Sequence, residues 1–273
     1  MTFRTWTPAD SARHIAVPQS SDDKYSRGVL GVVTGSTMYP GAAVLGVEAA
    51  LHTGVGMLRY LGDSRPTDLV LQRRPEVVTA DGRVQAWLLG SGIDAETRDD
   101  RASGRLRDAI AQGVPTVLDA GALDLVGEVA GASVITPHYG ELGRMLGVDR
   151  SRVADEPALW AERASVDFGV TVLLKGSSTF VADAHGSRLV VTTPTSWLAT
   201  AGAGDALGGI LGALVATHSA QIERDERTLA RLAATAASIH GAAAAEASAG
   251  GPLTVLDLAY AVPRVIADML AAL

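Results

Sequence analysis

Residues 199–216 read Ala-Thr-Ala-Gly-Ala-Gly-Asp and then, without a break, Ala-Leu-Gly-Gly-Ile-Leu-Gly-Ala-Leu-Val-Ala. Gly202 and Gly204 let the backbone bend so that several N–H groups at the start of the following apolar helix converge on one negative oxygen. Asp205 falls in the first turn of that helix. A carboxylate there can cap the helix, or it can act as a general base on a substrate hydroxyl, and the sequence leaves both roles open. Two commoner phosphate signatures are missing. Position 207 is leucine, so Gly202-Ala203-Gly204 does not extend to a dinucleotide fingerprint, and no Gly-Lys-Ser/Thr occurs.

Upstream of this stretch, short apolar runs alternate with longer segments of helical spacing. Val29 to Thr34, Met57 to Leu61, Val84 to Leu89, Thr116 to Leu118, Val134 to Thr136 and Val170 to Leu174 read as strands, each closed by a glycine, a proline or a polar residue. Ala42 to His52, Glu96 to Gln112 and Pro157 to Phe168 between them are long enough for crossover helices, so the pattern predicts βαβ units and a parallel sheet. Phe180 to Ala182 and Leu189 to Thr192 read instead as a hairpin. Asp205 to Thr217, Thr228 to Ser248 and Leu256 to Leu270 are expected as three helices packed on that sheet, the last with a bend at Pro263.

Of the 273 residues 47% are hydrophobic and only 4% aromatic, so the core must be built from Ala, Val, Leu and Ile, and disorder is excluded. The absence of cysteine excludes a disulfide scaffold. A net charge of −7 and no long Lys/Arg run argue against nucleic acid as a partner, though not against a local anion site. Of 23 basic residues only Lys24 and Lys175 are lysines, which makes a lysine unusual here. Residues 1–21 contain no secretory apolar region and no window reaches 18 apolar residues, so a cytoplasmic protein with no membrane contact is expected. No composition break marks a linker. The chain is expected to be one domain over 1–273, with 1–25 as an N-terminal extension.

In an open parallel sheet, ligands collect at the carboxyl ends of the strands. The residues found there are Gly35-Ser36 with Pro40-Gly41-Ala42, Gly90-Ser91-Gly92, Asp119, Thr136-Pro137-His138 with Glu141, and Lys175-Gly176. Lys175, next to Ser177, Ser178 and Thr179, suits a nucleotide phosphate or ribose, or simply closes a strand in solvent; the scarcity of lysine favours the first. Pro137 holds its predecessor extended and can present His138 to a cleft, or His138 is an ordinary surface residue. Asp119 could hold Mg²⁺ through water or accept N–H bonds from the next turn, and Glu141 could be an ordinary first-turn residue. The six histidines lack ligand spacing, so no protein-bound metal site is expected, and no Gly-x-Ser-x-Gly elbow occurs.

Together these segments resemble the nucleotide-dependent NAD(P)H-hydrate dehydratases over roughly Arg27 to Leu270. The resemblance is carried by Val33-Thr34-Gly35-Ser36 with Pro40-Gly41-Ala42-Ala43, Thr53-Gly54-Val55-Gly56, Val117-Leu118-Asp119-Ala120, Thr136-Pro137-His138 with Gly140-Glu141, Leu174-Lys175-Gly176, residues 199–205, His240-Gly241 and Asp257-Leu258. It implies an α/β fold, the ribokinase-like three-layer α/β/α sandwich with a mostly parallel central sheet. It also implies ADP-dependent dehydration of (S)-NAD(P)H-hydrate to NAD(P)H, by phosphorylation of the ring hydroxyl and elimination of phosphate. By motif matching, Asp205 would be the catalytic base, with Gly202, Ala203 and Gly204 stabilising charge on the transferred group. Ala42, Gly92, His138 and Asp205 would face the hydrate. Lys175, Gly176, Ser177, Ser178, Thr179 and Gly204 would hold the nucleotide, ADP or ATP, with Mg²⁺ accompanying it.

The family also suggests a homo-oligomer, often a tetramer, for which the alanine-rich helical surfaces around Ala233 to Ala247 would allow close packing. Many members carry an N-terminal epimerase domain for which this chain is too short, so dependence on a separate epimerase or on spontaneous epimerisation is expected. Four departures from the family pattern stand out: Gly121 for an aspartate, Tyr139 for a proline, Ser91 for a proline, and Pro194-Thr195-Ser196-Trp197 for Gly-Asn-x-Gly. The rival reading is a ribokinase-like small-molecule kinase acting on a sugar, thiazole or pyrimidine alcohol.

Overall fold

The computed structural model describes residues 2–273. Its strands are β1 (Arg4–Thr5), β2 (Val29–Val33), β3 (Met57–Tyr60), β4 (Ala86–Leu89), β5 (Thr116–Leu118), β6 (Ser133–Ile135), β7 (Thr171–Leu174), β8 (Ser178–Ala182) and β9 (Arg188–Thr192). They form one sheet in the order β1-β9-β8-β7-β6-β5-β4-β2-β3. Every pairing is parallel except the two made by β8. The central strands β2, β4 and β7 are buried along their whole length, as expected of a parallel sheet covered on both faces.

The helices are α1 (Pro8–Ala12), α2 (Pro40–Thr53), α3 (Ser64–Arg73), α4 (Asp100–Ile110), α5 (Tyr139–Leu146), α6 (Arg150–Asp155), α7 (Pro157–Phe168), α8 (Ala203–Thr217), α9 (Ser219–Ile222), α10 (Arg227–Ser248) and α11 (Val255–Ala271). Two apolar clusters flank the sheet. One is built largely from α2, α8, α10 and α11, the other from α4 to α7 and the 3₁₀ segment Ala120–Glu128, giving three layers. The α2–α8 crossing is backbone against backbone: a Cβ on Gly209 would lie 2.1 Å from the Gly46 carbonyl oxygen. Glycine there is a packing requirement.

Most expected elements are present with shifted ends. The hairpin begins at Ser178, so Ser178 and Thr179 belong to a strand, and α11 continues through Pro263. The N-terminal stretch set apart as an extension contributes the edge strand β1. It also supplies the buried Trp6, whose Nε1–H donates to Ser11 Oγ at 3.0 Å. Within α10, Ala233, Ala234, Ala236, Ala237, Ala243 and Ala244 lie within the core, whereas Ala242, Ala245 and Ala247 are half-buried. Among the described residues, no helix is long and apolar enough to cross a membrane.

Candidate active site

The hydrogen-bond ladder runs past the ends of the central strands and aligns the residues that follow them. Asp119 N–H donates to Leu89 O at 2.9 Å, Thr136 N–H to Leu118 O at 3.0 Å, and Lys175 N–H to Pro137 O at 2.9 Å. Four side chains therefore meet at one level. Asp119, only 4% exposed, accepts from Lys175 Nζ at 2.8 Å and Thr136 Oγ1 at 2.7 Å on one oxygen, and from Ser91 Oγ at 2.9 Å on the other. Burial pushes the Asp119 carboxyl up, but the Lys175 charge and the three hydrogen bonds win and hold it below the usual carboxylate range. Lys175 is the mirror case. Burial lowers it, and the charges of Asp119, Glu141 and Asp205 together with the Asp119 hydrogen bond leave it raised. The residue after Asp119, Ala120, is held at φ 44°, a left-handed conformation uncommon for a residue with a Cβ.

Above this level stands the glycine-rich turn. Gly202 adopts φ 90° and α8 begins at Ala203. Ala203 N–H is used by Thr200 O at 3.4 Å and Ala206 N–H by Gly202 O at 3.1 Å, whereas the amides of Gly204 and Asp205 have no protein partner among the described residues. The open donors are thus one residue further on than the Ala203–Gly204 pair expected from the sequence. His240 approaches Ala203 O at 2.9 Å through Nε2. Burial lowers the imidazole to about 4, against the opposing carbonyl bond, so the neutral ring donates from Nε2. A methyl on Gly204 would lie 3.6 Å from Lys175 Nζ, which places the ammonium beside Gly204.

Asp205 accepts no hydrogen bond among the described residues and does not cap the helix, which disposes of one of its two possible roles. Burial, then the negative charge of Asp119, raise its carboxyl to about 6, with Lys175 pulling the other way. The site therefore holds two carboxylates of opposite character: Asp119 saturated and firmly ionised, Asp205 unpaired and near neutrality.

A cavity of about 390 Å³ brings Lys175, Gly176, Ser177, Thr179, Ala203 and Gly204 together with His240 and the 193–199 loop. Ser178, grouped with them in the sequence, does not line it. Ala42 and Gly92 abut: Gly92 adopts φ 66°, and a Cβ there would lie 2.3 Å from Ala42 Cβ. His138 is the N-cap of α5, its Nδ1 accepting from Glu141 N–H at 3.0 Å while Glu141 Oε2 accepts from His138 N–H at 2.7 Å. That fixes the ring, and the side chain stays 56% exposed with Nε2 3.6 Å from Glu141 Oε1. Beyond Gly92 a second cavity of about 590 Å³ is lined by residues including Tyr39, Ile93, Gly121, Glu141 and Arg144.

The departures have local reasons. A Cβ on Gly121 would lie 2.4 Å from Ile93 O, so no aspartate fits there. The Tyr139 hydroxyl packs over Gly176, Trp197 Nε1–H donates to Gly250 O at 3.3 Å, and Pro194 packs on Gly241. Sequence reasoning did not foresee the partners of Asp119 or the bond from His240. Position just after a strand was the available signal for Ser91 and Thr136, whereas His240, inside an alanine-rich helix, offered none beyond its motif.

The model of one protein family, described as NAD(P)H-hydrate dehydratase, matches residues 30–262. The chain is 40% identical over 220 residues to the bifunctional NAD(P)H-hydrate repair enzyme Nnr of Mycobacterium leprae, covering 76% of this chain and 45% of that protein. It is 32% identical over 252 residues to the ADP-dependent (S)-NAD(P)H-hydrate dehydratase of Neisseria meningitidis, covering 85% of this chain and 81% of the relative. The chain thus spans under half of the bifunctional relative and most of the shorter one. The crystal structure of ADP/ATP-dependent NAD(P)H-hydrate dehydratase from Bacillus subtilis, co-crystallised with ATP/Mg²⁺, superposes with a TM-score of 0.86 at 24% identity over 98% of this chain and 99% of that one, a likeness of fold.

Proposed function

From the premise that this chain belongs to the NAD(P)H-hydrate dehydratase family, we propose that it catalyses ADP-dependent dehydration of (S)-NAD(P)H-hydrate to NAD(P)H. The observation that carries this is the unpaired Asp205 carboxylate, raised to about 6, beside two open amides and the Lys175 ammonium. A base poised near neutrality and a fixed cationic hole are what transfer of a phosphoryl group to an alcohol requires.

The nucleotide would occupy the cavity of Lys175, Ser177, Thr179 and Gly204, and the hydrate would lie on the side of Ala42, Gly92 and His138. Asp205 accepts the ring-hydroxyl proton as the hydroxyl oxygen bonds to the terminal phosphorus of ADP and the bond to the leaving AMP oxygen breaks. The amides of Gly204 and Asp205, with Lys175, face the charge on the group in transit. The carbon–oxygen bond then breaks with its electron pair leaving on phosphate, the ring nitrogen's lone pair supplies electrons, and a proton lost from the adjacent ring carbon restores the double bond. His240 holds the Ala203 carbonyl, and because a trans peptide directs its C=O and N–H oppositely, this aims the Gly204 amide away from His240.

Mg²⁺ would arrive on the nucleotide phosphates. Among the described residues no three His, Asp or Glu side chains converge on a common point, and Asp119 is occupied by its three donors, so no residue is assigned to the ion and no step runs through it. Cytoplasmic location and a homo-oligomer, with a tetramer as the form to test, are proposed on family grounds, most of the α10 alanines being buried in the core. The deciding experiment incubates the purified chain with NADH hydrate and ADP or ATP and follows the near-ultraviolet absorbance of the reduced nicotinamide. Recovery with ADP is expected. No recovery with either nucleotide, alongside turnover of a small alcohol, would install the kinase reading instead.

A further inference from the structure

We propose that Asp119 is a positioning residue: held by Ser91 and Thr136, it keeps the Lys175 ammonium beside Gly204 and away from the Asp205 carboxylate. The inference rests on the phosphoryl-transfer reading above.

The geometry supplies the argument. Donors from the ends of β4, β6 and β7 converge on this one buried carboxylate, so its orientation is over-determined. An ammonium is a rotatable point charge on a flexible stem and pairs with whichever carboxylate is offered. Three are within its electrostatic reach, Asp119, Glu141 and Asp205, and it is bonded to the first. That choice has a catalytic consequence. A Lys175–Asp205 pair would neutralise the base and withdraw the cation from the amides, whereas the Asp119 pair leaves Asp205 free to accept the hydroxyl proton while Lys175 retains all three of its own. The remaining charged or titratable groups around Asp205 do not compete. Glu141 is tied into the α5 cap, His240 is neutral on Ala203 O, and the facing turn of α2, Ala42 to Gly46, carries no charge.

The test uses the full chain with NADH hydrate and ADP. Asp119→Asn is expected to lower kcat by about 100-fold with KM for ADP changed less than about threefold. The acid limb of its pH–kcat profile moves downward by about one unit, because a repelling charge is lost and Lys175 is released toward Asp205. A kcat within about threefold of wild type, a loss confined to KM, or an unmoved acid limb overturns the proposal. Should Asp119→Asn fold poorly, Thr136→Val and Thr136→Ser decide, because only serine retains the hydroxyl donor. Serine should keep kcat and valine lose about tenfold, and equal behaviour is contrary to the proposal.

A readout independent of turnover comes from the two lysines. With Lys24 as internal reference, mass-spectrometric labelling by an amine-reactive reagent should show Lys175 reacting at least about tenfold faster in Asp119→Asn than in wild type; equal rates refute the hold on Lys175. Absence of hydrate turnover by wild type would defeat the dehydratase reading, and the labelling would still judge the hold that Asp119 has on Lys175.

Discussion

Replacing Asp205 by asparagine should abolish activity and make the protein more stable. The Asp205 carboxyl stands at about 6 in the folded chain against an ordinary aspartate value of 3.8, because burial and Asp119 disfavour its charged form. A raised carboxyl binds its proton more tightly when folded than when unfolded. Stability therefore falls as pH rises from the unfolded value through the folded one, and the full penalty stands above about 6. Two units correspond to about 3 kcal/mol at pH 7.5 and roughly half of that at pH 5, an upper bound because the residue is partly solvated.

Asparagine keeps the shape and removes the titration. Urea unfolding of both proteins at about pH 5 and about pH 7.5 should show the variant more stable by up to about 3 kcal/mol at the higher pH and by about half as much at the lower. Wild-type kcat should fall about tenfold from pH 7.5 to pH 5 as the base is protonated, and the variant should lose about three orders of magnitude. A stability gain equal at both pH values would mean that packing, not charge, separates the two proteins. A flat pH–kcat profile would remove Asp205 as the base.

Gly204→Ala puts a methyl at an ordinary 3.6 Å from Lys175 Nζ, so melting temperature should hold or rise while kcat drops at least about tenfold, the methyl occupying the space of the transferred group. Gly209→Ala drives a methyl against Gly46 O, and an unfolding free energy lowered by about 2–3 kcal/mol in urea is expected; an unchanged midpoint would mean that α2 and α8 separate freely. Glu48→Gln leaves Arg73 and Arg74 without their buried counter-charge and should cost about 3 kcal/mol in urea unfolding with kcat untouched.

The parallel sheet was legible because its strands are buried on both faces and so read as uninterrupted apolar runs. The loops after them were legible as a site because polar residues there interrupt that pattern. What was not legible depends on contacts across the sheet. Thr136 and Ser91 both looked like strand-closing hydroxyls, and only the shared register of β4, β5 and β6 turns them toward one carboxylate. Trp6 lay in a polar segment with no periodicity, so its burial beside β9 was invisible to pattern reading.

Glu48 and Asp119 show how burial alone fails to identify a site. Both are acidic, nearly inaccessible, and held ionised by basic partners against the cost of desolvation. Glu48 is met by Arg73 and Arg74, guanidiniums that stay charged and match a carboxylate's geometry, and it joins α2 to α3. Such a pair can only tie two helices together. Asp119 is met instead by a lysine, the basic side chain whose hydrogen bonds are readily redirected, and that lysine faces unpaired amides beside an unpaired carboxylate. The difference lies in what surrounds the cation. In the first case the charged groups meet one another, whereas in the second Asp205 and two backbone donors are left without protein partners among the described residues, and those are the groups a substrate would complete.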